Sequence, residues 1–309
     1  MPPSRRADTS DDAEHVTEEW LRRTPLPRAD HGSGKDARGT VLVIGGSTEM
    51  PGGAMLAAEA ALRAGAGKLQ VATCSSVAQL VAANLPEARV FALPETRAGG
   101  IAPAAASRLI ERAQAASCVL IGPGMIDEPA SSRLVQELIA AVPETPFVLD
   151  AGAMEALRDA PALLASRRPG TLLTPHTGEL AHLFDEPRES IEADARRAAA
   201  EAVKRFSAVV AVKGATTWIA EPKGQPRCHE AHNAGLGTSG SGDALSGIAA
   251  GLIARGTPVA IAACWAVFLH ARAGEALVAR VGPLGFLARE LLAEVPRAMA
   301  KMAEEAKAG

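Results

Sequence analysis

From Gly39 to Val212 the chain alternates short, unbroken apolar runs with longer, alanine-rich amphipathic stretches. The runs are Thr40–Ile44, Leu69–Thr73, Cys118–Ile121, Phe147–Leu149, Thr171–Leu173 and Ala208–Val212, and most end at Gly, Asp, Thr-Pro or Lys-Gly. Strands that are apolar without alternation are buried on both faces. The pattern therefore predicts an α/β fold with a central, mostly parallel sheet covered by helices on both faces. Thr216–Ala220 and Arg227–Glu230 flank the turn-like Glu221–Pro226 and predict an antiparallel hairpin on one edge. Beyond Gly242 the pattern is helical almost to the end, over Asp243–Arg255, Pro258–Arg280 and Phe286–Ala306, with Gly256 and Gly282 as stops. Residues 1–16 are polar and aperiodic and read as a disordered tail. Residues 17–309 read as one domain, opening with a short helix capped by Thr17 and ended by Pro25 and Pro27.

In an open parallel sheet, ligands bind beyond the carboxyl ends of the strands. The residues just after the apolar runs are therefore the candidates for chemistry. The richest segment is His232–Gly247, in which Gly235, Gly237 and Gly240 satisfy a literal GxGxxG. A dinucleotide fingerprint needs a strand directly before it and an acidic residue about 20 positions later. Here a hairpin precedes it and the acidic residue, Asp243, lies inside it. The segment reads better as a helix start. Gly240, Ser241 and Gly242 form an anion hole, where small residues let a phosphoryl group approach free N–H groups and the positive end of the helix dipole. Asp243 at its rim is placed to take a proton from a substrate hydroxyl. The structural alternative is a glycine-rich turn with Asp243 as a helix-start residue.

Gly240-Ser241-Gly242-Asp243 resembles the G-[AGS]-G-D signature of the ribokinase-like superfamily. More narrowly, Asn233–Thr238 just before it is similar to the segment introducing that signature in the ADP- or ATP-dependent NAD(P)H-hydrate dehydratases. Further blocks resemble the same family in the same order. They are Gly39–Ser47 followed by Gly53-Ala54 and Ala57–Gly67, the GPG loop Ile121–Met125, the strand end Leu149–Ala153, the turn Leu173–Glu179 and the loop Val212–Thr217. Ala234, Ser239 and Ser241 depart from the usual family residues but remain small, and Thr177 stands where the family has Pro. Met50 stands near a position where the family usually has an aromatic residue.

The resemblance implies a stand-alone ribokinase-like dehydratase of NADHX and NADPHX, the 6-hydroxy-tetrahydro forms of the reduced nicotinamide nucleotides, with ADP (or ATP) as co-substrate. Asp243 is the catalytic base. Ala54, Gly124, His176 and Asp243 contact the hydrated dinucleotide, and Lys213, Gly214, Ala215, Thr216, Thr217 and Gly242 hold the nucleotide. Mg²⁺ is carried on the phosphates, with no direct protein ligand. The family is often tetrameric. Its companion epimerase domain cannot fit in the residues before Gly39, which makes a separate epimerase the expected partner. Read without the family, Lys213 is a phosphate point charge or a strand-edge cap. His176 is a ligand hydrogen-bonder or a structural turn residue, and Asp150 positions a metal or water or caps its loop. His182, His229, His232 and His270 have no metal-ligand spacing and read as structural or surface residues. Asp185, Glu186, Glu192 and Asp194 read as solvated helix-start carboxylates. Two rival functions use the same fold: a vitamin-precursor kinase of the hydroxyethylthiazole type, and a catalytically inactive nucleotide-binding regulator.

Composition narrows the partners. A net charge of −3 argues against a nucleic-acid surface. No continuous apolar run approaches the roughly 20 residues of a membrane span, and the N-terminal residues lack the apolar core of a secretory signal. Cys74, Cys118, Cys228 and Cys264 show no paired spacing and read as free thiols in a reducing cytoplasm. With no tyrosine and few other aromatics, the chain offers little to stack on a nucleobase.

Overall fold

The computed structural model describes residues 13–27, 34–167 and 170–308. The elements run β1 (Glu14–His15), α1 (Glu18–Arg23), β2 (Thr40–Ile44), α2 (Pro51–Arg63), β3 (Lys68–Cys74), α3 (Ser75–Asn84), β4 (Ala88–Leu93), α4 (Ala106–Ala115), β5 (Cys118–Ile121), α5 (Glu128–Ala141) and β6 (Phe147–Leu149). They continue through α6 (Ala156–Asp159), β7 (Thr171–Leu173), α7 (Thr177–Phe184), α8 (Arg188–Ala193), α9 (Ala195–Phe206), β8 (Val209–Val212), β9 (Thr216–Ala220) and β10 (Arg227–Glu230). Three helices close the chain, α10 (Ser241–Ala254), α11 (Val259–Arg280) and α12 (Ala288–Ala308).

The strands form one sheet in the order β1-β10-β9-β8-β7-β6-β5-β2-β3-β4. Every pairing is parallel except the two made by β9, which runs antiparallel to both β8 and β10. This is the expected parallel sheet with an edge hairpin. Side chains of one strand feed two cores in turn: Val41 and Val43 join the layer under α2, α10 and α11, while Leu42 and Ile44 join that under α4, α5 and α9. A Cβ at Gly247 or Gly251 would collide with the Ala57 or Ala61 carbonyl. These glycines let α10 lie directly on α2, which fixes where the α10 N-terminus emerges.

Three expectations change. Residues 1–12 of the expected tail lie outside the described residues, but Glu14–His15 pair with Arg227–Cys228 and Val16 is buried. The ordered fold thus starts before Thr17, because the otherwise open β10 edge offers backbone partners. Strand β4 is absent from the sequence reading. It is an edge strand with mostly half-exposed residues, so it lacks the unbroken apolar run of the central strands. Helix α11 is long and apolar enough to cross a membrane by composition, yet 67% of its most apolar window is buried inside the fold. The Thr17 cap is as expected, with its hydroxyl accepting the Trp20 N–H at 3.2 Å.

Candidate active site

The ends of β6, β7 and β8 converge on the N-terminus of α10. The Lys213 N–H donates to the Pro175 carbonyl at 2.8 Å, which zips the β7 and β8 ends together beyond the regular sheet. Lys213 Nζ then donates to Asp150 Oδ1 at 3.0 Å and lies 3.9 Å from Glu179 Oε2. The same Asp150 oxygen accepts the Thr174 hydroxyl at 2.8 Å. Asp150 is buried, so its charge is sustained by these two donors rather than by water. Burial alone would lower the Lys213 ammonium's pKa, but the carboxylates of Asp150, Glu179 and Asp243 outweigh it and hold the group above the ordinary lysine value.

Asp243 sits in the first turn of α10, next to that lysine. Burial, aided by the nearby Asp150 charge, raises its carboxyl to about 6, and Lys213 offsets only part of the shift. Gly240, with φ of 85°, adopts the left-handed conformation that starts the helix. The Ser241 N–H is already taken by the Thr238 carbonyl at 3.2 Å. Among the described residues, no carbonyl outside the helix takes the N–H groups of Gly242 and Asp243. These two are therefore backbone donors that the start of α10 leaves free, beside the expected Gly240–Gly242 set. Ser241 instead presents its hydroxyl, 2.8 Å from His270 Nε2.

His176 is the N-cap of α7. Its Nδ1 accepts the N–H groups of Gly178 and Glu179 at 3.0 and 3.1 Å, while the Glu179 carboxylate accepts the His176 N–H at 2.8 Å. An imidazole that accepts at Nδ1 carries its proton on Nε2. His176 is thus a structural turn residue that also lines the cavities on either side of the turn.

A cavity of about 730 Å³ lies over this convergence, lined among others by His176, Lys213, Thr217, Ser241, Gly242 and His270. Gly214 and Ala215 also line it, while Thr216 faces the adjoining groove beside Trp218. Ala54 and Gly124 belong to a separate crossing beside it. There the Gly45–Gly46 loop, Gly53 and the Pro123-Gly124 peptide pack in contact. Ala54 has no exposed surface beneath that loop and packs against its glycines.

Two further residues escaped the sequence reading. Glu179 was visible as part of a capping box, three residues after its cap, but nothing local tied it to Lys213. His270 lies on an apolar helix and had no signal of its own. It is not at the surface but in the cavity wall, where burial lowers its imidazole to about 4. The other three histidines behave as expected: His182 meets Glu155, His232 meets Glu230, and His229 bonds the Val16 carbonyl. The carboxylates of Glu186, Glu192 and Asp194 pair with arginines or cap α9. Among the described residues, no group of three metal-ligating side chains is present.

The sequence model of the family described as NAD(P)H-hydrate dehydratase matches residues 41–297, which includes every residue of this convergence. The chain belongs to that family. It is 45% identical over 282 residues to the ADP-dependent (S)-NAD(P)H-hydrate dehydratase of Xanthomonas campestris, covering 91% of this chain and 94% of that one. The Bacillus subtilis ADP/ATP-dependent NAD(P)H-hydrate dehydratase, co-crystallised with ATP and Mg²⁺, superposes with a TM-score of 0.80 at 29% identity, covering 95% of this chain and all of that one. A bifunctional NAD(P)H-hydrate repair enzyme of Moorella thermoacetica is 37% identical over 290 residues, and the chain spans 54% of its length.

Proposed function

We propose that this dehydratase converts (S)-NAD(P)HX and ADP to NAD(P)H, AMP and phosphate. The observation that carries the reading is Asp243: a carboxyl raised to about 6, beside a lysine and at the mouth of an anion-binding helix. Such a group is ionised near neutral pH yet basic enough to accept a hydroxyl proton.

In this reading Asp243 takes the proton from the C6 hydroxyl of the hydrated ring, and the oxygen attacks the terminal phosphoryl group of ADP, releasing AMP. The Gly242 and Asp243 N–H groups and Lys213 stabilise the charge on the transferring phosphoryl oxygens. Hydroxide is a poor leaving group and phosphate a good one. The ring-nitrogen lone pair expels phosphate from C6, and loss of a C5 proton restores the dihydropyridine. Lys213–Thr217 and Gly242 hold the nucleotide. His176 Nε2–H and the backbone at Gly124 face the hydrated dinucleotide.

Mg²⁺ fits this site as a passenger of the phosphates. It is commonly held by one or two carboxylates together with phosphate oxygens, and Asp150 and Glu179, which flank Lys213 Nζ at 3.0 and 3.9 Å, are the carboxylates besides Asp243 that would support it. When bound it neutralises phosphate charge. The same proposal places the enzyme in the cytoplasm as a homotetramer, with a separate epimerase supplying the S epimer.

The test is incubation with NADHX, Mg²⁺ and either ADP or ATP, following NADH absorbance and phosphate. Equimolar NADH and phosphate, faster with ADP, is the expected result. A stable phosphorylated product without NADH would instead identify a kinase, and no turnover with either nucleotide would sink the reading.

A further inference from the structure

Ser241 is the one member of the anion site whose backbone N–H is already spent, on the Thr238 carbonyl. Its remaining polar group is the hydroxyl, buried with the rest of the residue and 2.8 Å from His270 Nε2. His270 reaches it from α11, where its helix neighbours Val267 and Ala271 also line the cavity. An imidazole placed among such residues costs stability unless it is hydrogen-bonded, and a purely packing role would be met by an aliphatic side chain. Among the described residues, Ser241 is its hydrogen-bonding partner.

A serine hydroxyl carries one proton and two lone pairs, and a neutral imidazole has one donor and one acceptor nitrogen. If Nε2 accepted the Ser241 proton, the hydroxyl lone pairs would face the anion site and repel a phosphoryl group. If Nε2 donates instead, the Ser241 proton is free to point at that group. We propose that His270 is a positioning residue of the nucleotide site, donating Nε2–H to Ser241 Oγ so that the serine hydroxyl donates to a phosphate oxygen of the bound nucleotide. His270 stays neutral at working pH, since burial lowers it to about 4, and a neutral ring can adopt the tautomer that the anion selects.

The inference rests on the nucleotide reading above, so the test separates the two. Full-length wild type, Ser241→Ala, His270→Ala, the double variant and His270→Gln are titrated calorimetrically with ADP and with adenosine. Their kcat/KM with NADHX and ADP is measured in parallel. Loss of a hydrogen bond to a charged oxygen is worth about tenfold or more. Each single variant should weaken ADP about tenfold and leave adenosine within about twofold. The double variant should be no worse than Ser241→Ala alone, because His270 acts through that hydroxyl. Gln, whose amide N–H can donate to Ser241, should recover most of the ADP affinity. Multiplicative losses in the double variant, equal weakening of adenosine, or wild-type ADP affinity in either single variant would overturn the proposal. Should His270→Ala fail to fold, Ser241→Ala and His270→Gln decide it on the same criteria. A wild type that binds ADP but never forms NADH would sink the dehydratase reading and leave the binding result standing.

Discussion

Lys213 Nζ bonds Asp150 Oδ1 at 3.0 Å across the end of β7, joining the tips of two strands that are not neighbours. Asp150 thereby acts at a distance on Asp243, the proposed base, since its charge raises that carboxyl alongside burial. Asp150→Asn removes that like charge and frees Lys213 to lean towards Asp243. Both changes favour the ionised base, so the acid limb of the kcat/KM profile should move to lower pH. The maximum should fall as well, because Lys213 loses its anchor. An acid limb that stays in place or moves upward would count against this coupling.

The wild-type profile follows from Asp243 itself. With its carboxyl at about 6, the base is protonated below that pH, and kcat/KM should drop about tenfold per unit there. Above about 7 the acid limb should be flat. Activity that holds constant down to pH 4 would exclude Asp243 as the base.

Asp243→Asn should cost about 10²- to 10⁴-fold in rate and also stabilise the fold. A carboxyl raised from 3.8 to about 6 on folding means the folded state binds the proton more tightly than the unfolded chain. Ionising it therefore costs stability as pH rises through 6, and the cost vanishes below about 4. Asparagine has no charge to lose. Its Tm should exceed that of wild type by about 2–4 °C at pH 8 and converge with it near pH 4. Thermal melts of both proteins across that range check the sign, and a variant less stable at pH 8 would contradict it.

What was legible in the sequence tracks burial and locality. The six central strands were visible because β2, β3 and β5 to β8 sit between two helix layers and use unbroken apolar runs, whereas β4 and β1 lie at the edges and carry no such signature. The start of α10 at Ser241 was visible because four glycines in eight residues break the chain just before an apolar helical run. By contrast, the Asp150–Lys213–Glu179 cluster joins two strand ends and the start of α7, spanning more than 60 residues from Asp150 to Lys213. The Ser241–His270 bond joins two helices, and no local spacing encodes either. That the Ser241 N–H is taken by the Thr238 carbonyl was not legible for a similar reason: the contact is set by the turn geometry, not by residue type.

His176 offers the sharpest separation of folding from recognition. Its Nδ1 caps α7 through two backbone N–H groups, while Nε2, 3.5 Å from Glu179 Oε1, carries the proton proposed to meet the ligand. His176→Ala removes both roles. Losing the cap should cost about 0.5–2 kcal/mol of stability. Because Pro175 in the same turn bonds Lys213, a loosened turn should weaken the nucleotide as well as NADHX. His176→Asn keeps an acceptor of the kind favoured at N-caps but cannot present a donor where Nε2 stood. It should melt close to wild type, bind ADP normally, and raise the KM for NADHX about two- to tenfold, the usual worth of one neutral hydrogen bond. Melting curves, ADP titration and NADHX kinetics on the two variants together decide the matter. If asparagine leaves the NADHX requirement unchanged, His176 is a helix cap alone, and the hydrated ring must be held by other groups.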